Sequence, residues 1–324
     1  MGTVILGTGS CLPEKRLSNH DLEKLVETSD EWILSRTGIS TRRISGKGEE
    51  AFQLGTTAAR KAMAMANVSV DEIDLIIVAT MSSHMTMPSC ACFIQKELGA
   101  DNAFAYDVNA ACSGFLFALD SGDKFLRVEQ NKKILVIGTE TLSSRTDWKD
   151  RNTCILFGDG AGAVVLEYKE EERGVVASNL FSDGTLWNLL YMHAASSSNP
   201  ELEQPDNPGV HILMEGREVF KYAVKAMEAA INDLLIRENI EMDSIDLMIP
   251  HQANIRILKK LVSRLGINQE KVFINVQKYG NTSAASIPIA LDEANREGRL
   301  KRGDLLLVCS FGGGFTWGAS LLRW

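Results

Sequence analysis

An internal repeat constrains this chain more than any other feature. Asp71-Glu-Ile-Asp-Leu-Ile-Ile-Val-Ala79 returns as Asp243-Ser-Ile-Asp-Leu-Met-Ile-Pro-His251, 172 residues later in a chain of 324. The same kinds of segment surround both copies in the same order. An Ala/Met-rich helical stretch precedes each, over 55–67 and 219–239. A helix follows, over 88–98 and 253–265, and then a short strand, Phe104–Val108 and Phe273–Val276. Small-residue segments, Asn109–Gly114 and Tyr279–Ser283, next open further helices; Cys112 and Asn281 are their key residues, 169 apart, so the copies differ by small indels. Closing strands Lys133–Gly138 and Phe157–Leu166 match Asp304–Cys309 and Phe311–Leu322. One such match arises easily by chance, but five in one order do not. The chain therefore reads as a duplicated α/β unit, with halves 1–172 and 173–324 and parallel sheets covered by helices on both faces. A pseudo-twofold axis between the halves would bring matching segments to one central site.

Two stretches lie outside the repeat. Residues 18–50 contain charges, Trp32 and several capping residues, and residues 182–216 are rich in Ser, Asn, Pro and Gly. Long irregular stretches of this kind commonly form lids or binding elements.

Composition removes several functions. A formal charge of −8 argues against nucleic-acid binding, which rewards clustered Lys and Arg. Residues 305–322 hold no charge and match the length of a membrane span, but Gly312, Gly313, Gly314 and Gly318 interrupt them. Two buried strands joined by a glycine turn explain that segment better. The opening Met1–Gly7 reads as a first strand rather than a leader. Six cysteines form no Cys-x-x-Cys pair, and five histidines show no ligand spacing, so neither disulfides nor a metal is expected. Free thiols suit a reducing cytoplasm.

Cys112 lies between a strand ending at Val108 and an apolar helix beginning near Phe115. A thiol there faces unpaired N–H groups and the positive end of the helix dipole, both of which favour thiolate. The other five cysteines fit ordinary buried thiols. His251 follows the apolar strand Leu247–Pro250 and heads a helix, in the place where parallel α/β sheets bind ligands. Asn281, in Tyr279-Gly-Asn-Thr-Ser283, is also compatible with a simple left-handed turn. The position of all three in the repeat is what singles them out.

Asp107-Val-Asn-Ala-Ala-Cys-Ser-Gly-Phe115, Pro250-His-Gln-Ala-Asn254, Tyr279-Gly-Asn-Thr-Ser-Ala-Ala-Ser286 and Phe311-Gly-Gly-Gly-Phe-Thr-Trp-Gly318 resemble the signatures of the 3-oxoacyl-[acyl-carrier-protein] synthase III family, of the thiolase-like superfamily. Thr28-Ser-Asp-Glu-Trp-Ile33 and Arg36-Thr-Gly-Ile39 resemble it too, so the likeness spans nearly the whole chain. It implies a thiolase-like fold layered α-β-α-β-α, and the initiating condensing enzyme of type II fatty acid synthesis. Cys-His-Asn marks this branch, whereas Cys-His-His marks elongating synthases.

The resemblance implies that Cys112 is acylated by an acyl-coenzyme A, and that malonyl-acyl carrier protein then enters in ping-pong order. Decarboxylation leaves an enolate whose oxygen His251 Nε2 and the Asn281 amide would stabilise. The backbone N–H groups of Cys112 and Gly313 would form the oxyanion hole. Thr28, Trp32, Arg36, Arg151, Gly216, Phe220 and Asn254 would bind coenzyme A, with Trp32 and Arg151 stacking on opposite faces of its adenine. Arg256 and Lys260 would receive the acidic carrier protein, and Arg264 shares their helix face. Met87 and Phe311 would shape the acyl pocket, Met87 being donated across a homodimer. No tightly bound cofactor is expected. The rivals are a secondary-metabolic relative of polyketide or quinolone type with another starter, a non-catalytic scaffold of the same fold, and a nicotinamide-dependent dehydrogenase. The last lacks a complete G-x-G-x-x-G at a turn into a helix, since Gly158–Gly162 leads into a strand.

Overall fold

The computed structural model describes residues 2–194 and 210–324. Among these, nine strands build two main sheets. The first contains β1 (Gly2–Cys11), β2 (Leu75–Ala79), β3 (Phe104–Val108), β4 (Lys133–Thr141) and β5 (Asp159–Lys169), in the order β1-β5-β4-β2-β3. The second contains β6 (Gly174–Ser182), β7 (Leu247–Pro250), β8 (Leu305–Gly312) and β9 (Thr316–Arg323), in the order β7-β8-β9-β6. The main helices are α1 (Asp30–Thr37), α2 (Ala51–Ala66), α3 (Cys90–Leu98), α4 (Gly114–Val128), α5 (Gly216–Glu238), α6 (Ile255–Leu265) and α7 (Ser286–Arg296).

Strand alternation decides the layers. Leu75, Ile77, Ile134 and Val136 share one core with Leu247, Ile249, Leu306 and Val308, and α4 and α7 fill the space between the sheets. Ile76, Val78, Leu135 and Ile137 point the other way, onto α2 and α3. Met248, Leu305, Leu307 and Cys309 pack against α5 and α6. The architecture is thus α-β-α-β-α, as the resemblance implied. Each buried Leu or Ile contributes about 1.5–3 kcal/mol, so sheets apolar on both faces are stable only between helices.

Three expectations need correction. The sheets are mixed rather than parallel: β2 runs parallel to β3 and β4, and β7 to β8, but the remaining pairs are antiparallel. Parallel neighbours need a long crossover, and the short glycine turn between β8 and β9 permits only a hairpin.

Phe273–Val276 is not a strand. Only Val272 bridges to Met248, and the chain then enters a short helix, Val276–Tyr279. The Gln252 side chain takes the place of a sheet neighbour. Its Oε1 accepts from the N–H groups of Asn275 (2.9 Å) and Val276 (3.2 Å), and its Nε2 donates to Phe273 O (3.2 Å).

The copies also need no indel around the functional residues. Asn109 and Asn281, the left-handed Ala111 (φ +46°) and Ser283 (φ +49°), and the helix starts Gly114 and Ser286 all keep the 172-residue offset. The structural counterpart of Cys112 is therefore Ala284, and that of Asn281 is Asn109. Residues 305–322 fold as β8, a glycine turn and β9, and no described helix is long and apolar enough to cross a membrane.

Candidate active site

A cavity of about 1190 Å3 opens where the two repeat copies meet, and Cys112, His251 and Asn281 all line it. Cys112 occupies a single 3-10 turn, Ala111–Ser113, ahead of α4. Ala111 takes its positive φ with its N–H on Asn109 Oδ1 (3.3 Å), a conformation costing about 1–2 kcal/mol for a residue with a side chain. The Ser113 hydroxyl donates to Thr316 O (2.9 Å), and the Thr316 hydroxyl donates to Ala110 O (2.8 Å), tying this turn to the β8–β9 hairpin. A Cβ on Gly312 would stand 2.6 Å from Cys112 N, so only glycine allows so close an approach.

The thiol is 7% exposed, and burial pushes its pKa up to about 12. This reverses the expectation of a resting thiolate. A helix terminus offers roughly 0.3–1 kcal/mol, whereas each pKa unit of desolvation is worth about 1.4 kcal/mol. Burial wins.

His251 leaves the end of β7 with its N–H on Cys309 O (2.7 Å). The following helix starts only at Ile255, where Asn254 Oδ1 accepts from Arg256 N (2.8 Å), so residues 251–253 form a connection rather than a first helical turn. Burial lowers the ring pKa to about 3, which keeps it neutral. Nδ1 lies 2.6 Å from Ser286 Oγ, and the other partner of that hydroxyl is a donor, Gln252 N (3.3 Å). A Ser286 hydroxyl donating to Nδ1 gives every hydrogen here a partner, and this assignment places the ring hydrogen on Nε2.

Asn281 forms a parallel bridge with Phe157: its N–H donates to Leu156 O (2.9 Å) and its O accepts from Gly158 N (3.0 Å). Its Oδ1 accepts from Ser283 N (2.8 Å), which fixes the amide orientation and leaves the NH2 group as the side chain's donor.

Trp32, Arg36, Gly216, Phe220, Asn254, Arg256, Phe311 and Gly313 line the same cavity. The Arg151 guanidinium lies 4.8 Å from the Trp32 ring centroid and that of Arg36 5.5 Å. At 4.8 Å no aromatic base fits between Arg151 and Trp32, so adenine would have to displace the arginine. Thr28, Arg151, Lys260 and Met87 are not among the lining residues, and Met87 is 83% exposed. Arg256 sits 5.9 Å over Phe220, while Lys259 and Lys260 are exposed beside it on α6. Arg264, expected on the same basic face, instead pairs with Glu228 of α5 at 2.5 Å.

Sequence reasoning missed several lining residues. Arg217 and Lys221 of α5 add cationic groups, and Trp187, Leu190, Tyr191 and Met192 come from the loop whose role was open. The 195–209 portion of that loop lies outside the described residues. Ser286 was also missed, although its place at a helix start opposite Gly114 in the repeat was legible.

The chain is similar to known proteins along its length. The profile described as 3-oxoacyl-[acyl-carrier-protein (ACP)] synthase III matches residues 106–184, and that of its C terminal matches 235–324. A beta-ketoacyl-[acyl-carrier-protein] synthase III of Desulfotalea psychrophila is 58% identical over the whole of both chains. The crystal structure of 3-oxoacyl-[acyl-carrier-protein] synthase III from Aquifex aeolicus superposes with a TM-score of 0.93, at 50% identity and full coverage of both chains. The priming beta-ketosynthase from the R1128 polyketide biosynthetic pathway superposes at 0.92, with 34% identity, covering 99% of this chain and 96% of that one. With a thiol, a neutral imidazole and a carboxamide around one cavity in the shared fold, the chain belongs to the thiolase-like family of 3-oxoacyl-[acyl-carrier-protein] synthases III.

Proposed function

We propose that the chain initiates type II fatty acid synthesis by decarboxylative condensation. Cys112 takes the acyl group of an acyl-coenzyme A. Malonyl-acyl carrier protein then loses carbon dioxide, and its enolate attacks the acyl-cysteine to give 3-oxoacyl-carrier protein. The observation carrying this reading is that His251, neutral and with Nδ1 against Ser286, and Asn281, with its amide oxygen on Ser283 N, line the cavity that holds Cys112. Two neutral donors suit an oxyanion that forms and disappears within one turnover. An imidazolium would instead trap it. The backbone N–H groups of Cys112 and Gly313 serve the tetrahedral oxygen, and the steps use no resident cofactor.

Trp32, Arg36, Arg151, Thr28, Gly216, Phe220 and Asn254 form the coenzyme A entrance in this reading, and Arg256 with Lys260 the carrier-protein landing. Phe311 bounds the acyl pocket. Met87, exposed and outside the lining of its own cavity, suits donation to a partner's. Strand β3 supports a homodimer: it is a sheet edge with Phe104 52% and Tyr106 38% exposed, a surface that needs covering. The halves 1–172 and 173–324 act as paired units, and six free thiols suit the cytoplasm.

The test is intact-mass measurement of the protein mixed with acetyl-, propionyl- and branched acyl-coenzyme A. One acyl group should attach to the native chain and none to Cys112→Ala; attachment elsewhere contradicts the reading. The likeness to the polyketide priming synthase favours one second reading, a secondary-metabolic starter enzyme. It would be recognised by a preferred starter larger than these.

A further inference from the structure

The site leaves one proton without a destination. When Cys112 sulfur bonds to carbon its hydrogen must go, yet with the ring hydrogen assigned to Nε2 His251 offers no free acceptor, its Nδ1 lying against Ser286. A thiol held near 12 yields its proton to water too slowly for an efficient enzyme, and a base titrating close to ambient pH is the better acceptor.

Such a base is buried behind the turn that holds Asn281. Glu140, in β4, is 0% exposed. Its Oε2 accepts from Met81 N (3.2 Å), Thr80 Oγ1 (3.3 Å) and Ser82 Oγ, while Oε1 has no hydrogen-bond partner. Ser283 is equally buried, and its hydroxyl also makes no hydrogen bond of ordinary geometry. The turn Ser283–Ala285 packs against both β4 and the Cys112 turn. The Ser283 hydroxyl acts on both the Cys112 thiol and the Glu140 carboxyl, lowering the pKa of each against the rise that burial imposes. A buried carboxylate oxygen and a buried hydroxyl that both lack a partner call for an explanation, and a catalytic role is one. Burial holds the Glu140 carboxyl up at about 7. The titratable groups facing it are the thiols Cys112 and Cys90, and no basic side chain among the described residues neutralises it.

We infer that Glu140, through the Ser283 hydroxyl, receives the Cys112 proton during acylation and holds it until condensation returns it. This rests on the reading of Cys112 as the acylated thiol. As the sulfur–carbon bond forms, the thiol proton passes to Ser283 Oγ and the Ser283 proton passes to Glu140 Oε1. The tetrahedral adduct collapses by breaking the bond to coenzyme A, whose thiolate takes a proton from water. Glu140 stays neutral while the enolate forms, so no second negative charge opposes it. Attack by the enolate then expels Cys112 as thiolate, and the stored proton returns through Ser283. The turnover consumes one proton from water, as decarboxylation of a carboxylate to carbon dioxide requires. Because Glu140 reaches the sulfur only through Ser283, it is a positioning and proton-holding residue.

Rapid-quench intact mass with acetyl- or isobutyryl-coenzyme A, followed across pH, tests the relay. Native acylation should rise with pH and level off near pH 7. Glu140→Gln should acylate on the order of 100-fold more slowly at pH 7 and lose the plateau, while carbon dioxide release by enzyme already acylated stays within twofold. Acylation of Glu140→Gln as fast as native, or faster, overturns the inference, because a carboxylate that merely raised the thiol pKa would give that result. If Glu140→Gln does not fold, Ser283→Ala leaves Glu140 and its three donors in place. It should show the same slow acylation without a plateau, and native-like acylation overturns the relay. A native chain that never acylates Cys112 overturns the reading of the thiol as well.

Discussion

His251 is useful because it is neutral, and its neutrality has a consequence for stability. The folded ring binds a proton only near pH 3, against an ordinary 6.5, so the unfolded chain takes up the proton first as pH falls. The contribution is fully present above 6.5 and is lost downward through that window. At pH 5 it should amount to a destabilisation on the order of 2 kcal/mol, which His251→Asn should abolish in a melting series from pH 7 to 5. Ser286 is expected to hold the tautomer. Ser286→Ala should slow decarboxylation about tenfold, the value of one hydrogen bond, with acylation unchanged and recovery in Ser286→Thr. None of this was legible from a lone serine or a Pro-His pair. Nor was the high pKa of Cys112, because sequence displays a helix start but not the depth at which it is buried.

At the scale of elements, α6 and β3 are the surfaces proposed for the carrier protein and for a second copy of the chain. Lys259 and Lys260 are exposed beside Arg256, whereas Arg264 is engaged by Glu228. Charge reversal in Arg256→Glu should slow transfer from malonyl-carrier protein about tenfold and leave acylation by acyl-coenzyme A within twofold, measured as separate half-reactions. On β3, Phe104→Asp would bury an unpaired charge in the expected interface. It should weaken association about 100-fold, read by sedimentation against the 35.6 kDa chain mass. The strands themselves were readable, since apolar runs between turn signals have few alternatives. The 273–276 segment misled because its apolar pattern is that of a strand, while the hydrogen bonds that decide the matter come from Gln252, distant in pattern though near in space.

At the scale of the whole molecule, the duplication explains why one cavity contains all three groups. The equivalent turns 109–114 and 281–286 meet at the centre, where Gly114 lies against Ala284. In the proposed function one copy serves as nucleophile and the other as hydrogen-bond donor. The repeat offset was legible, but functional types were matched in place of equal positions, which hid the true pairing of Asn281 with Asn109. The loop residues 187–192 had no periodicity to reveal their place on the cavity wall. The central claim is that these two turns divide the work, one copy holding the acyl group and the other stabilising the enolate. Asn281→Ala separates the two most directly. Acylation by acyl-coenzyme A, read by intact mass, should proceed at the native rate, and carbon dioxide release from malonyl-carrier protein should fall about 100- to 1000-fold. Loss of acylation, or unchanged carbon dioxide release, would contradict the account.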